Sequence, residues 1–240
     1  MKENPRQDHR FVVVHFASSN EQQIAKIGRL GAIVSANPYY TTAFANKYEP
    51  ALGEYRADHM VRSASVLKVT PHLSFHSDLP MAPSDPLYLA WTAVNRITTS
   101  GRVAAPEQRI SVDAAMRAVT IEAAYSWRQE DFIGSIKPGK IANFTVLEAD
   151  PYRVDPKKLK DVPVWGTVFE GRVFPVPEAN RRKLGAGASP GHRTTARLAS
   201  QRSAPGAHQR SDADSCHLGA LSQMAVAAYT ANVAANLTGK

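Results

Sequence analysis

Side chains that could bind a metal ion and move a proton stand at the ends of short apolar stretches. His15 follows the apolar residues 12–14, and His76 and Asp78 follow the apolar stretch 72–75. Neutral imidazole and carboxylate are zinc ligands, and an aspartate beside a water molecule can take its proton and pass it to a leaving group. A metal-dependent hydrolase is one interpretation. The other is structural, because a histidine that closes a strand usually forms a structural hydrogen bond and an aspartate often caps a turn.

Further candidates follow the second apolar stretch, residues 32–36. Asn37 comes directly after it, and Tyr39 and Tyr40 follow Pro38. The amide and the two phenols could contact a substrate, within a loop at 37–56 that we expect to cover a pocket. Asn-Pro is also a common way to open a loop, and tyrosines often serve in packing. The residue pattern leaves both interpretations open.

Alternating strands and helices must position these residues. Short apolar runs, β-branched in the first two, predict strands at residues 11–16, 32–38 and 72–76. Helical spacing and capping residues predict helices at 18–31, where Ser or Asn precedes Glu21, at 54–68, and at 84–98, with Ser84 or Asp85 as the cap. This order is typical of an α/β fold with parallel strands, in which catalytic groups gather at the carboxyl ends of the strands.

The second half of the chain has a different organisation. Residues 106–127 contain a strong predicted helix with Ser111 as its N-cap, and residues 143–149 predict a strand. Residues 164–176 predict a hairpin around Glu170-Gly171, because a tight turn needs positive φ angles there. From residue 179 to 240 the sequence is rich in Ala, Ser, Gly and Arg, which predicts a disordered tail. That tail is either an interaction arm or an out-of-frame translation product.

Charge and composition exclude several classes of protein. The net charge of +8 comes mainly from residues 181–240, which hold eight Lys or Arg and two Asp or Glu. The remaining 21 basic and 19 acidic residues form no basic stripe with interleaved aromatics, so we do not expect a nucleic-acid partner. The sequence contains no run of eighteen apolar residues, so it predicts no membrane span. The single Cys216 and a start without a secretory pattern favour a cytoplasmic protein.

Three motifs occur in an order that resembles the C-terminal half of the metal-dependent amidohydrolases. They are "FHSDLPMAPSDPLYLAWTAVNR" at 75–96, "PEQRIS" followed by a helix from 106, and "GSIKPGKIANFTVLEADP" at 134–151. The branch that they resemble includes N-substituted formamide deformylase and the exoenzyme-regulatory proteins. The resemblance implies an α/β fold in which residues 1–130 form about strands six to eight of a (β/α)8 barrel. It implies that residues 131–178 form part of a small composite β-sandwich.

The same resemblance implies a role for each candidate residue. His15 matches the metal-binding histidine that ends the sixth strand, and Asp78 matches the aspartate that ends the eighth strand, contacts the metal and activates water. His76 belongs to the "HSD" pattern and is expected to contact the substrate or support a ligand. The implied cofactor is a divalent metal, zinc above all, and the implied substrate is a small amide. Asn143 replaces the usual aspartate, a change that we expect to be structural.

Several ligands of that family have no counterpart in this chain. The family's metal site begins with a His-x-His pair on the first strand, and none of the eight histidines is spaced in that way. Because a catalytic zinc takes three protein ligands, we expect this chain to be a fragment that is inactive or nearly so alone. A complementary N-terminal half would then be its partner. The alternative is a non-catalytic protein that docks on such a half or binds acidic surfaces through its basic tail.

Overall fold

Two separate three-stranded sheets, with helices around the first, make up the described part of the chain. The computed structural model describes residues 6–181. The predicted tail at 179–240 therefore lies almost wholly outside the described residues. Within residues 6–181, no helix is long and apolar enough to cross a membrane.

The first sheet is parallel and carries the candidate residues at one edge. Its strands lie in the order β1, β2, β3, and they are β1 (Val12–His15), β2 (Ile33–Ala36) and β3 (Leu73–Phe75). His15 pairs with Ala36, and Ala36 pairs with Phe75, so the three strands end at the same level. The predicted α/β architecture with parallel strands is confirmed, and it brings residues 15, 37 and 76–78 to one edge of the sheet.

Helix α1 (Glu21–Leu30) connects β1 to β2, as its capping residues predict. Asn20 accepts from the backbone N–H of Gln23, and the Gln23 side chain accepts from the backbone N–H of Asn20. This reciprocal capping box satisfies two amides that the helix itself leaves free. Ile24 and Ile27 are buried in the same apolar cluster as Val34 and Leu73 of the sheet, so this face of α1 belongs to the core.

The segment between β2 and β3 differs from its prediction. Residues expected to form a loop make helix α2 (Tyr39–Leu52), and the predicted helix at 54–68 is two short ones, α3 (Glu54–Asp58) and α4 (Ser63–Leu67). Gly53 separates α2 from α3 at a φ of 76°, which suits glycine. Val61 has a φ of 53° and interrupts the helical backbone between α3 and α4. The carbonyl of Val61 accepts from a buried arginine, Arg96, instead of continuing a helix.

The helices after β3 begin at their predicted caps but are shorter. Asp85 caps α5 (Pro86–Asn95) and Ser111 caps α6 (Val112–Ala118). The predicted N-cap Ser111 is confirmed, but the helix predicted after it ends early, because the backbone turns at Thr120 before α7 (Ile121–Ser126). Residues 106–108, ahead of Ser111, form a 3₁₀ turn. Trp91 of α5 donates to the Lys157 carbonyl at 2.7 Å and joins this helix to the 3₁₀ turn Pro156–Asp161.

The second sheet is antiparallel and includes the predicted hairpin. Its strands are β4 (Phe144–Leu147), β5 (Val164–Phe169) and β6 (Arg172–Pro175), in that order. Glu170 and Gly171 form the turn with φ angles of 50° and 79°, so the predicted hairpin is confirmed. The Asn143 side chain accepts from the backbone N–H of Glu170 at 2.8 Å. Asn143 therefore stabilises the hairpin, in agreement with the structural role predicted for it.

Candidate active site

Four of the predicted site residues meet around one ring nitrogen. From Nδ1 of His15, the His76 Nε2 lies at 3.1 Å, the Tyr40 hydroxyl oxygen at 3.4 Å and the Asp78 Oδ2 at 3.8 Å. The side chains of His15 and Asp78 are 48% and 41% exposed. A polar cluster that spans β1, the start of α2 and the end of β3 is thus open to solvent.

The backbone at both candidate metal ligands is strained. His15 has a φ of 66°, Phe16 a φ of 56° and Asp78 a φ of 55°. Residues other than glycine seldom adopt this left-handed conformation, and it is concentrated at functional sites. This left-handed conformation turns the backbone sharply as each strand ends. It directs the side chains of His15 and Asp78, from different strands, to a common point.

Replacing His15 by glycine is expected to leave the protein about 1 kcal/mol more stable than replacing it by alanine. Both variants lose the imidazole, but only glycine adopts a φ of 66° without strain. Urea unfolding measures the two free energies. The matched pair Val13→Gly and Val13→Ala, in the middle of β1, should show the opposite order. A more stable His15→Ala variant would contradict the strain at this position.

His76 connects the cluster to the middle strand of the sheet. Its Nδ1 lies 3.0 Å from the Ser35 hydroxyl, and its Nε2 faces His15. Burial, with the nearby His15, lowers the pKa of His76 to about 4, while Asp78 acts in the opposite direction. The ring is therefore neutral near pH 7. The sequence interpretation missed Ser35, although a hydroxyl inside the apolar stretch of β2 was a signal that could have identified it.

Asn37 and Tyr39 join the end of β2 to the segment that carries Asp78. Both are buried. The Asn37 amide donates to the Ser77 carbonyl at 3.2 Å, and its oxygen accepts from the Tyr39 backbone N–H at 3.1 Å. The Tyr39 hydroxyl donates to the Pro83 carbonyl at 3.3 Å. These bonds hold the backbone on either side of Asp78.

Tyr40 presents a protonated hydroxyl to the cluster. Burial raises the pKa of this phenol, and the negative charge of Asp78 raises it further. A neutral phenol can donate a hydrogen bond to an oxygen that gains negative charge during a reaction. The Tyr40 hydroxyl, next to His15, is therefore suited to donate a hydrogen bond to a polarised carbonyl.

The donor atoms of the cluster suit a divalent metal but do not complete its coordination. Ring nitrogens bound to one tetrahedral zinc lie about 3.3 Å apart, given a zinc–nitrogen distance of about 2.0–2.1 Å. The nitrogens of His15 and His76 are 3.1 Å apart, with an Asp78 oxygen nearby. Within residues 6–181, however, no group of three or more His, Cys, Asp or Glu side chains is arranged to hold a metal. The fit is therefore to part of a coordination shell.

Comparison with known proteins identifies the family. The model of the amidohydrolase family matches residues 1–175. The chain belongs to the amidohydrolase family. This finding confirms the assignment made from the three sequence motifs.

Two curated relatives are longer than this chain. It is 30% identical over 170 residues to the N-substituted formamide deformylase of Arthrobacter pascens, a match that covers 69% of this chain and 30% of the relative. It is 31% identical over 151 residues to protein LONG AFTER FAR-RED 3 of Arabidopsis thaliana, covering 62% of this chain and 26% of the relative. The chain thus spans less than a third of the length of these two relatives.

Two solved structures share the fold of this chain. An uncharacterized metal-dependent hydrolase from Pyrococcus horikoshii matches with a TM-score of 0.52 and 25% identity, over 60% of this chain and 30% of that one. An adenosine deaminase from Xanthomonas campestris with bound zinc matches with a TM-score of 0.50 and 19% identity, over 74% and 38% of the two chains. The second likeness concerns the fold alone.

Proposed function

We propose that this chain contributes metal-binding and proton-transferring groups to a hydrolase of non-peptide carbon–nitrogen bonds in small amides. The observation that carries the proposal is the meeting of His15 and Asp78. They come from the carboxyl ends of β1 and β3, and Asp78 Oδ2 lies 3.8 Å from His15 Nδ1. Membership of the amidohydrolase family supports the reaction class.

His15 and Asp78 have distinct roles in this proposal. His15 supplies a ring nitrogen and Asp78 a carboxylate oxygen to a divalent metal, with zinc as the first candidate. When bound, the metal polarises the amide carbonyl and makes water a better nucleophile. The Asp78 carboxylate takes the proton of the attacking water and then gives it to the departing amine nitrogen. The carbon–nitrogen bond breaks, and the products are a carboxylic acid and an amine.

The remaining candidate residues orient these groups or the substrate. His76 Nε2 contacts the same His15 nitrogen as Tyr40 and Asp78 and orients that ring, while His76 Nδ1 is itself held by Ser35. Asn37 and Tyr39 fix the backbone beside Asp78. Tyr40 donates its phenolic hydrogen to the substrate carbonyl, a role that its proximity to His15 and its protonated state support.

We further propose that β1, β2 and β3 correspond to strands six to eight of a (β/α)8 barrel. The parallel pairing of the three strands and the gathering of polar residues at their carboxyl ends support this correspondence. A catalytic zinc takes three protein ligands, so the remaining ligands would come from a complementary N-terminal half. The chain alone is then expected to hydrolyse amides little or not at all.

Zinc binding tests the proposal. The purified chain should bind zinc weakly, and His15→Ala and Asp78→Ala should each lower its affinity at least about tenfold, because each removes a donor. His9→Gln is the matched control, since His9 lies outside the cluster and contacts the Leu30 carbonyl. Isothermal titration calorimetry with zinc chloride measures the zinc affinity of all four proteins. Equal affinities in the four, or no zinc binding by the unaltered chain, would refute the roles given to His15 and Asp78.

A further inference from the structure

Three aromatic rings form a continuous row along one face of α2, beginning at the candidate active site. Tyr40, Phe44 and Tyr48 are spaced four residues apart, which places them above one another on a helix. The rings of Tyr40 and Phe44 stack at 5.5 Å, and the ring of Tyr48 meets that of Phe44 edge-on at 5.4 Å. We call Tyr40, Phe44 and Tyr48 the aromatic row.

The other faces of α2 are already attached to the protein. Thr41 donates to the Met60 carbonyl, and Thr42 donates to the Ile97 carbonyl. Asn46 donates to the hydroxyls of Thr98 and Thr99. The aromatic row lies on a different face, and its outermost member, Tyr48, is 40% exposed. Tyr40 and Phe44 are partly buried against the hydrophobic core, so the part of this face that is open to a ligand lies toward Tyr48.

The inner end of the row is part of the active-site cluster itself. The Tyr40 hydroxyl lies 3.4 Å from His15, and the Tyr40 ring centre lies 6.4 Å from the His15 ring centre. A molecule whose carbonyl lies beside His15 and Asp78 therefore meets the row with whatever group extends along α2. The ring centres of the row are separated by 5.5 Å and 5.4 Å, so the row is about as long as a phenylbutyl group.

The charge beside the row favours an uncharged occupant. The Lys47 ammonium lies 5.8 Å from the centre of the Phe44 ring and 6.0 Å from that of Tyr48. Aromatic faces attract cations, but here the protein supplies its own cation. A second positive charge would be repelled by Lys47, so the row is not suited to a quaternary ammonium group.

We propose that the aromatic row binds the apolar arm of the substrate, and that the preferred substrates are amides with a long aryl or alkyl substituent. This inference rests on the proposed function, because it places the scissile amide beside His15 and Asp78. Burial of apolar surface on the three rings supplies the affinity. Phe44 and Tyr48 are then specificity-determining residues that lie away from the reacting bond.

Ligand binding to the full chain in a chelating buffer tests the row without any need for turnover. The probes are N-(4-phenylbutyl)acetamide and N-methylacetamide, which share the amide and differ in the arm. In ligand-observed NMR titrations the phenylbutyl compound should bind at least about tenfold more tightly. Tyr48→Ala and Phe44→Leu should each reduce that preference several-fold, whereas tetramethylammonium should not compete. Tyr55→Ala is the matched control, because Tyr55 is also an exposed tyrosine, outside the row on α3.

The outcomes separate this inference from the proposed function. Equal affinity for the two amides, or the same loss in Tyr55→Ala as in Tyr48→Ala, would overturn the inference even if zinc bound as expected. Competition by tetramethylammonium would overturn it as well, in favour of a cation site. A preference for the phenylbutyl arm that depends on Phe44 and Tyr48, in a chain without zinc affinity, would support the row and refute the metal roles of His15 and Asp78.

Discussion

Replacing Arg96 by methionine is expected to lower the free energy of unfolding by about 4 kcal/mol. Arg96 is 1% exposed, and its guanidinium donates to four carbonyls. These belong to Ala104 at 2.7 Å, Val61 at 2.9 Å, Asp58 at 2.8 Å and Met60 at 2.9 Å. Methionine keeps much of the apolar stem but removes four hydrogen bonds from a charged donor, at about 1 kcal/mol each. The Met60 carbonyl keeps the Thr41 hydroxyl as a donor, and the Val61 carbonyl keeps the Ser63 backbone N–H.

A lysine at this position should restore little of the lost stability. The guanidinium is a planar fork that reaches several acceptors at once, whereas an ammonium group is a compact charge with another geometry. Urea unfolding of Arg96→Met, Arg96→Lys and the surface control Arg29→Met measures the effect. The control should stay within about 0.5 kcal/mol of the unaltered protein. An Arg96→Met variant that unfolds at the same urea concentration as the control would show that these bonds add no net stability.

The bonds of Arg96 also bear on the candidate site. They fix residues 58–61, and the backbone N–H of Val61 donates to the Ala17 carbonyl, two residues after His15. The left-handed turn at His15 is thus braced by a side chain at the end of α5. Loss of Arg96 should loosen this turn as well as lower the overall stability.

The sequence predicts the first sheet and its candidate residues well because both depend on local patterns. Short apolar runs identify the three parallel strands, and polar residues at or just after their ends identify His15, Asn37, His76 and Asp78. Helix caps at Asn20, Asp85 and Ser111 also depend on neighbours within three residues. The ordered motifs, rather than the spacing alone, identify the amidohydrolase family.

The region between β2 and β3 could not be predicted, because distant contacts determine it. Asn37-Pro38 and Pro50 indicate a loop, yet α2 forms, with Thr41 and Thr42 bonded to carbonyls far along the chain. The pattern of residues 54–68 is helical throughout, but the fork of Arg96 binds carbonyls at the break between α3 and α4. The sequence does not predict the aromatic row for the same reason, because it indicates a loop where α2 forms.

Below pH 6.5 the protein is expected to lose stability through His76. Burial lowers the pKa of His76 from 6.5 to about 4 in the folded state, so the unfolded chain binds more protons between these two values. The free energy of unfolding therefore rises with pH across this window. The contribution is complete above pH 6.5 and is lost as the pH falls to 4. This difference between the folded and unfolded pKa of His76 corresponds to about 3 kcal/mol in the free energy of unfolding.

Comparison with a His76→Gln variant isolates this effect from the titration of the carboxylates. Urea unfolding from pH 7.5 to pH 4, with a chelator present to exclude metal, should show the unaltered protein losing about 3 kcal/mol more than the variant. His9→Gln should follow the unaltered protein, because it leaves His76 and its contacts with Ser35 and His15 in place. Parallel curves for the unaltered protein and His76→Gln would mean that His76 is not held neutral. The hydrogen bonds that join it to Ser35 and His15 would then have to accommodate a charged ring.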